Sequence, residues 1–377
     1  MGIGVLVIGS FLLATWTIYI VLIGFFTYGW FRPETSLKIK NTDPGMKVSI
    51  IIAARNEERY IIDLLGDLFI QDYPSGLMEI IVVDDHSTDN TVRIIKDFVA
   101  RNSFNNFTII ISDDKSESGK KAAITQGVNR SGADLILTTD ADCRVGPGWV
   151  SSLAAHFQDE NIRMVFGPVM YFDKGGLASR FQSLEFSGLM ASGAGAAGAG
   201  LPFMCSGACL AYRKTAFLQV SGFKGNEKFI SGDDVFLLHK MKKTFGRKAI
   251  IFCKNKDALV KTYPVHGFMM FLNQRARWAS KSKGYKDALS VITAIIIFSY
   301  SFSLLLSFIA GFFNSIFFFV TGGLLFIKII TDLSLMLGIT AFTGQRGLMR
   351  WYLPFQLVYP FYIVVAGMLS LFERRKW

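Results

Sequence analysis

The chain is predicted to be an α/β protein with a Rossmann-like, mostly parallel sheet and with membrane helices before and after it. Three observations carry this. Between Lys47 and Lys254, strand-like apolar runs alternate with segments of helical periodicity, an order that calls for parallel strands covered by helices on both faces. From Ile3 to Phe31 there is no charged residue, a stretch longer than the roughly 20 residues that cross a bilayer. Three further apolar stretches of spanning length close the sequence, Leu289 to Phe313, Ile316 to Phe342 and Leu353 to Phe372.

Bulk composition agrees. The 377 residues are 51% hydrophobic and 14% aromatic, and the mean hydropathy is +0.37, high for a soluble protein. A net charge of +11 calls for an anionic membrane surface, an anionic substrate or nucleic acid. Much of the basic charge flanks the apolar stretches, so nucleic acid fits poorly. Cys205 and Cys209 lack a second pair or a nearby histidine. With Cys143 and Cys253 they read as buried, reduced thiols and not as a zinc site.

Element by element, the first apolar stretch lacks a basic leading region and a small-residue cleavage site, so it reads as a retained anchor. Arg32, Lys38 and Lys40 follow it, which places the next domain in the cytoplasm. Strands are expected at Val48–Ala53, Glu79–Val83, Phe107–Ile111 and Leu135–Thr139. Helices are expected at Glu57–Leu68, along Val92, Ile94, Ile95 and Phe98 behind a Thr88 or Asp89 cap, and at Lys120–Val128. The glycine-crowded stretch Phe181–Pro202 is weak as a helix; close packing on another backbone, a membrane surface and a loop all remain open. Phe268–Leu272 followed by cationic residues suits an interfacial amphipathic helix. There Arg275, Lys281, Lys283 and Lys286 are expected to meet anionic lipid. Lys328 and Asp332, four apart, are expected to pair inside a helix bundle. Three C-terminal spans would leave the tail Glu373–Lys376 outside, against the positive-inside preference, so the span count stays open. The expected boundaries are an anchor at 1–31, an α/β domain at 47–260, an interfacial segment at 261–287 and a transmembrane region at 288–377.

Asp140 and Asp142 end the fourth strand. Alternation along a strand would point both carboxylates the same way. Their repulsion is relieved by Mg²⁺ or Mn²⁺, which take carboxylates together with phosphate oxygens. A solvated turn is the plain alternative for Asp-x-Asp alone. Four other features accompany it: Ala53-Ala54-Arg55-Asn56-Glu57-Glu58, Val83-Asp84-Asp85-His86-Ser87-Thr88-Asp89, Gly119-Lys120-Lys121, and Ser231-Gly232-Asp233-Asp234 followed by Gln274-Arg275-Ala276-Arg277-Trp278.

In this order the motifs resemble the membrane-bound family 2 glycosyltransferases, inverting enzymes of GT-A fold that use nucleotide sugars. The Gln-x-x-Arg-Trp motif is similar to that of the cellulose, hyaluronan, chitin and poly-N-acetylglucosamine synthases and the ceramide glucosyltransferases. The resemblance covers about Lys47 to Lys283 and the flanking spans. It implies that Asp85 meets a uracil ring and that Ala54, Arg55, Glu57 and Lys120 lie at the nucleotide. Many relatives have Thr and Tyr where Ala54 and Arg55 stand. Glu57 reads equally as a helix N-terminal charge. The resemblance further implies that Asp140 and Asp142 hold Mg²⁺ or Mn²⁺, with Asp142 leading. Asp234, beside Asp233, is the implied base that deprotonates the acceptor hydroxyl. Gln274, Arg277 and Trp278 would serve the diphosphate and the acceptor, and Cys205-Ser206-Gly207-Ala208 would lie near the acceptor. His86, His156, His239 and His266 have no nameable partners and read as structural.

The expected function is therefore inverting transfer from a UDP-sugar to a membrane-associated acceptor, either a lipid or a growing glycan, in a cell inner membrane. Export subunits or further copies of the chain are possible partners. The competing class is an inactive scaffold or regulatory subunit of a polysaccharide-export complex. Intact Asp142 and Asp234 argue against it, and absence of any nucleotide-sugar turnover would favour it.

Overall fold

The computed structural model describes residues 3–32, 45–102, 106–112, 119–226 and 232–372. Lys38, Lys40, Ser231 and the tail Glu373–Lys376 lie outside the described residues. The chain divides into two compact units, one of residues 33–172 and 200–263, the other of residues 1–32, 173–199 and 264–377. The stretch expected to form one continuous domain at 47–260 is thus interrupted, because residues 173–199 fold with the apolar helices.

Helix α1 (Ile3–Phe31) is the first element and belongs to the helical unit. In the sheet unit, β1 (Val48–Ala54), β2 (Met78–Asp84), β3 (Phe107–Ile111) and β4 (Leu135–Asp140) run parallel in the order β3-β2-β1-β4. Their crossovers are α2 (Ile61–Phe69), α3 (Thr91–Asn102) and α4 (Lys120–Arg130). Strand β1 is inside on both faces: Val48, Ile50, Ile51 and Ile52 are at most 1% exposed. Burying each such side chain contributes about 1.5–3 kcal/mol, and burial on both faces is why these strands read as unbroken apolar runs.

The sheet continues past β4 with strands too short to stand out in the sequence. After α5 (Trp149–Ala154) come β5 (Met164–Phe166) and β6 (Val169–Tyr171). Then, beyond a helix of the other unit, come β7 (Leu210–Arg213), α7 (Lys214–Gln219), α8 (Asp233–Phe245), β8 (Ile250–Phe252) and β9 (Val260–Thr262). Strand β7 pairs antiparallel with β4 and β5, β8 extends the sheet, and β6 and β9 form a separate parallel pair. Helix α2 starts four residues later than expected. Glu57–Tyr60 instead form a turn in which Glu57 O accepts from Tyr60 N and Ile61 N, both at 3.1 Å.

The helical unit holds α1, α6 (Leu177–Gly198), α9 (Phe268–Ser280), α10 (Ala288–Gly311), α11 (Ile316–Phe342) and α12 (Tyr352–Phe372). Among the described residues, four segments are long and apolar enough to cross a membrane: Ala14–Phe31, Ala288–Gly311, Ile316–Phe342 and Arg346–Leu371. The glycine-crowded stretch forms helix α6, and two of its glycines, Gly195 and Gly198, face α1. A Cβ on Gly29 would lie 1.8 Å from Gly195 O, one on Gly195 2.1 Å from Phe26 O, and one on Gly198 2.2 Å from Gly29 O. Only hydrogen at these positions lets the backbones meet, the small-residue packing that joins helices in membranes. Tertiary contact thus overrides a poor propensity. Lys328 and Asp332 do pair, at 2.6 Å, and Lys328 is 2% exposed. Gln356 on α12 joins Lys328 at 2.6 Å, and the Tyr19 hydroxyl on α1 donates to Asp332 at 2.6 Å.

Candidate active site

The C-terminal ends of β1, β2 and β4 form one edge, and the strand order reverses between β1 and β4. Open α/β sheets bind ligands outside such a reversal. Two loops are laced together there. Asp85 N donates to Ala54 O at 2.8 Å. Asn56, held at φ 58°, accepts from Thr88 N at 2.8 Å, and its own N–H donates to the Ser87 hydroxyl at 3.0 Å. Glu57 N donates to the Thr91 hydroxyl at 2.8 Å. Asp85 is 5% exposed. Its Oδ1 accepts from Gly119 N at 2.9 Å and meets His86 Nδ1 at 3.2 Å, while Oδ2 lies 3.5 Å from Arg55 Nη1. Gly119 has φ +98°, a conformation that suits glycine. Ala54 is 1% exposed, so its carbonyl, not its side chain, contributes. His86, which has no nameable partner in the sequence, thus has Asp85 as one.

The two aspartates meet differently from expectation. Strand β4 ends at Asp140, and Cys143 N donates to Asp140 O at 3.0 Å, closing a turn that swings Asp142 round. Ligand atoms of Asp140, Asp142 and Cys143 lie within 4.8 Å of one another. Arg144 anchors this turn on α2, with Nε and Nη2 donating to Asp67 at 2.5 and 2.8 Å. Thr262 donates to Asp142 Oδ2 at 3.4 Å, and the next residue, Tyr263, stacks between Tyr60 at 4.6 Å and Phe172 at 4.8 Å.

Lys120 opens α4, and its ammonium hydrogen-bonds Asp140 Oδ1 and lies 3.7 Å from Asp233 Oδ2. Lys121 points elsewhere, donating to Asn226 O at 2.8 Å. Gly232, at φ 87°, turns the chain into α8. Asp233 is buried and Asp234 half-buried. Asp234 accepts from Gly207 N at 2.9 Å and Val235 N at 2.8 Å. Gly207 O accepts from the Thr138 hydroxyl at 3.0 Å, and a Cβ on Gly207 would sit 3.4 Å from Lys120 Nζ and 3.5 Å from Asp233 Oδ2. Cys205-Ser206-Gly207-Ala208 therefore runs past both Asp234 and Lys120.

Electrostatics follow from this crowding. Burial, then the Asp140 charge, pushes the Asp142 carboxyl up to about 6, with Lys120 opposing. Burial, then Asp142, Asp140 and Asp89, pushes Glu57 up to about 7. Glu57 thus belongs to the acidic cluster and stands outside α2. Burial disfavours the Lys120 ammonium, but Asp140 and Asp233 outweigh it and hold the lysine protonated well above its usual range. The Cys143 thiol is pushed up by burial, then by Asp140 and Asp142, so it stays protonated. Hard carboxylate oxygens and surplus negative charge fit a hard divalent cation, with Asp140 and Asp142 as the residues to hold it.

In the helical unit, the expectation that Arg275 meets lipid is wrong. Arg275 is 4% exposed and ion-paired to Glu185 at 2.6 Å, because an acidic partner ninety positions away in sequence folds against it. Arg277 and Trp278 are half-buried, and the exposed apolar residues of α9 include Phe268, Met269 and Met270, 55–65% exposed.

Two family models match. Glycosyl transferase family 2 covers residues 49–220, and glycosyl transferase family group 2 covers residues 135–369. The chain belongs to glycosyl transferase family group 2. Relatives include a beta-monoglucosyldiacylglycerol synthase of Nostoc sp., 30% identical over 118 residues, which are 31% of this chain and 25% of that protein. An N-acetylglucosaminyltransferase of Rhizobium leguminosarum bv. viciae is 25% identical over 271 residues, 69% of this chain and 61% of that protein. The chain spans only about a quarter of the length of the first of these. Among solved structures, the mannosyltransferase PcManGT from Pyrobaculum calidifontis, in complex with GDP-Man and Mn²⁺, superposes with TM-score 0.64 at 15% identity over 98% of both chains. This group 2 chain therefore shares its fold, a GT-A-like sheet unit together with apolar helices, with a protein of unlike sequence over 98% of its length.

Proposed function

We propose that the chain transfers a sugar from a nucleotide sugar, a UDP-sugar by the position of Asp85, to a membrane-borne acceptor with inversion at the anomeric carbon. One observation carries this: at the sheet reversal, Asp140, Asp233 and Asp234 gather round the ammonium of Lys120, with Asp142 against Asp140 and the buried Asp85 bonded to the neighbouring Gly119 N–H. That is a site with negative charge to spare, suited to a diphosphate only in company with a divalent cation. Asp85, Arg55, the Ala54 carbonyl and Glu57 receive the nucleoside end. Asp140 and Asp142 would hold Mg²⁺ or Mn²⁺, which when bound would neutralise charge developing on the leaving diphosphate.

Asp234 acts as the base. Its half-buried carboxylate is fixed by two backbone N–H groups, and it takes the proton of the acceptor hydroxyl as that oxygen bonds to the anomeric carbon. Asp233 and Lys120 hold the charge around it. Gln274, Arg277 and Trp278 are assigned to diphosphate and acceptor on the family resemblance. The four apolar segments anchor the enzyme in a cell membrane, with the sheet unit in the cytoplasm by the positive-inside preference. The diacylglycerol glycolipid made by the Nostoc relative supports a lipid acceptor, and the Rhizobium relative, an N-acetylglucosaminyltransferase, supports transfer of an amino sugar.

The test is transfer by membranes that contain the protein. Labelled UDP-glucose, UDP-N-acetylglucosamine, UDP-galactose and GDP-mannose are supplied singly with Mn²⁺ or Mg²⁺. Label in organic solvent identifies a glycolipid product, and label in filter-retained, glycosidase-sensitive material identifies a polymer. Absence of product from every donor, together with absence of UDP binding, would overturn the proposal in favour of a scaffold.

A further inference from the structure

Arg275 lies between the residues that the family resemblance singles out. Its Nε and Nη2 donate to Glu185 Oε2 at 3.0 and 2.6 Å, and its Nη1 donates to Gln274 Oε1 at 2.5 Å. The same guanidinium lies over two rings, 4.1 Å from the Trp278 centroid and 4.7 Å from that of Phe271. Glu185 Oε1 accepts from the Tyr362 hydroxyl at 3.0 Å. Phe271 and Tyr362, which touch the pair, belong to one buried apolar cluster with Phe181 and Leu272. Helices α6, α9 and α12 therefore meet at one arginine.

A buried ion pair is poor evidence of stabilisation, since desolvation offsets most of the attraction and apolar residues of similar volume pack as well. An arginine adds direction. Its planar fork is fixed on one edge by Glu185, so the remaining edge and the face are fixed too. That edge is bonded to the Gln274 amide, and that face carries the Trp278 ring.

We propose that Arg275, anchored by Glu185, is a positioning residue that sets the amide of Gln274 and the ring plane of Trp278 for acceptor handling. This rests on the acceptor role given to those two residues above. Two variants separate direction from packing. Arg275→Met with Glu185→Leu substitutes apolar bulk for the pair, and Arg275→Lys keeps the charge without the fork. The protein is labelled with fluorotryptophan, and the Trp278 fluorine resonance is identified by its loss in Trp278→Phe.

In both variants the Trp278 resonance shifts while the other tryptophan resonances stay in place. The double variant melts close to the wild type. In both, kcat falls about tenfold or more with the donor KM unchanged, since a misplacement of this size acts on the chemical step. An unmoved Trp278 resonance in Arg275→Lys, or a moved resonance with wild-type kcat, overturns the proposal. If the double variant does not fold, Arg275→Lys alone decides. If the wild type transfers from no donor, the functional reading fails, and the resonance still tells whether Arg275 orients Trp278.

Discussion

The two units treat buried charge in opposite ways. In the helical unit the charges are balanced: Lys328 has Asp332 and Gln356, and Arg275 has Glu185. At the sheet edge they are not, since Lys120 is the cation shared by Asp140, Asp233 and Asp234 while Asp142 is left with a carboxyl near 6. A balanced cluster is complete as folded and serves as structure. An unbalanced one remains electrostatically costly until a cation arrives, so it reads as a ligand site.

The comparison breaks most visibly under substitution. Asp234→Asn should reduce transfer by about 10³-fold, within the range for a lost general base, while UDP binding in the presence of Mn²⁺ is kept; near-wild-type turnover would remove Asp234 from the mechanism. Lys328→Met should instead leave transfer per folded molecule unchanged and destabilise the protein by about 3–5 kcal/mol, the effect of stranding Asp332. Adding Asp332→Leu should recover most of that loss, and melting curves of the two variants in one detergent decide it. Asp142→Ala should abolish metal-dependent nucleotide binding by calorimetry, and titration with EDTA should reproduce that loss in the wild type.

The smaller effects depend on pH. Asp142 has a folded pKa raised to about 6 by burial, then by Asp140. Protonation below that value removes a ligand, so Mn²⁺ affinity without nucleotide should fall about tenfold per pH unit below 6. The sign for stability is the reverse. A carboxyl raised in the folded state opposes folding once ionised, and that penalty disappears as pH falls towards the ordinary carboxylate range. Asp142→Asn should therefore stabilise the metal-free protein at pH 8 by on the order of 2 kcal/mol after solvent screening, and by little at pH 4. An equal gain at both values would show that ionisation of the buried Asp142 carboxyl is not the cause.

The sequence made some of this legible for physical reasons. The parallel strands could be read because burial on both faces leaves unbroken runs such as Val48–Ala53. Strands β5, β7 and β8 could not, because three or four apolar residues do not separate a strand from a helix turn. The acidic residues of the site were all visible. Their arrangement was not: Asp142 reaches Asp140 through a turn, and Glu57 escapes α2 because that helix starts at Ile61. Gly207, Asn56, Arg144 and the Tyr60–Tyr263–Phe172 stack act through partners distant in sequence. So does Arg275, whose position beside an apolar run suggested lipid until Glu185 was found against it.

The glycine contact between α1 and α6 also bears on how the polypeptide is assembled. Residues 173–199 are synthesised between the two halves of the sheet unit, yet their mate is a helix that precedes the sheet unit in the sequence. The ribosome must therefore deliver α6 while α1 is already waiting and the sheet still lacks β7 and β8. Excising residues 47–260 to obtain a water-soluble enzyme would retain a glycine-faced helix deprived of its mate, and that orphan surface would drive the fragment to aggregate.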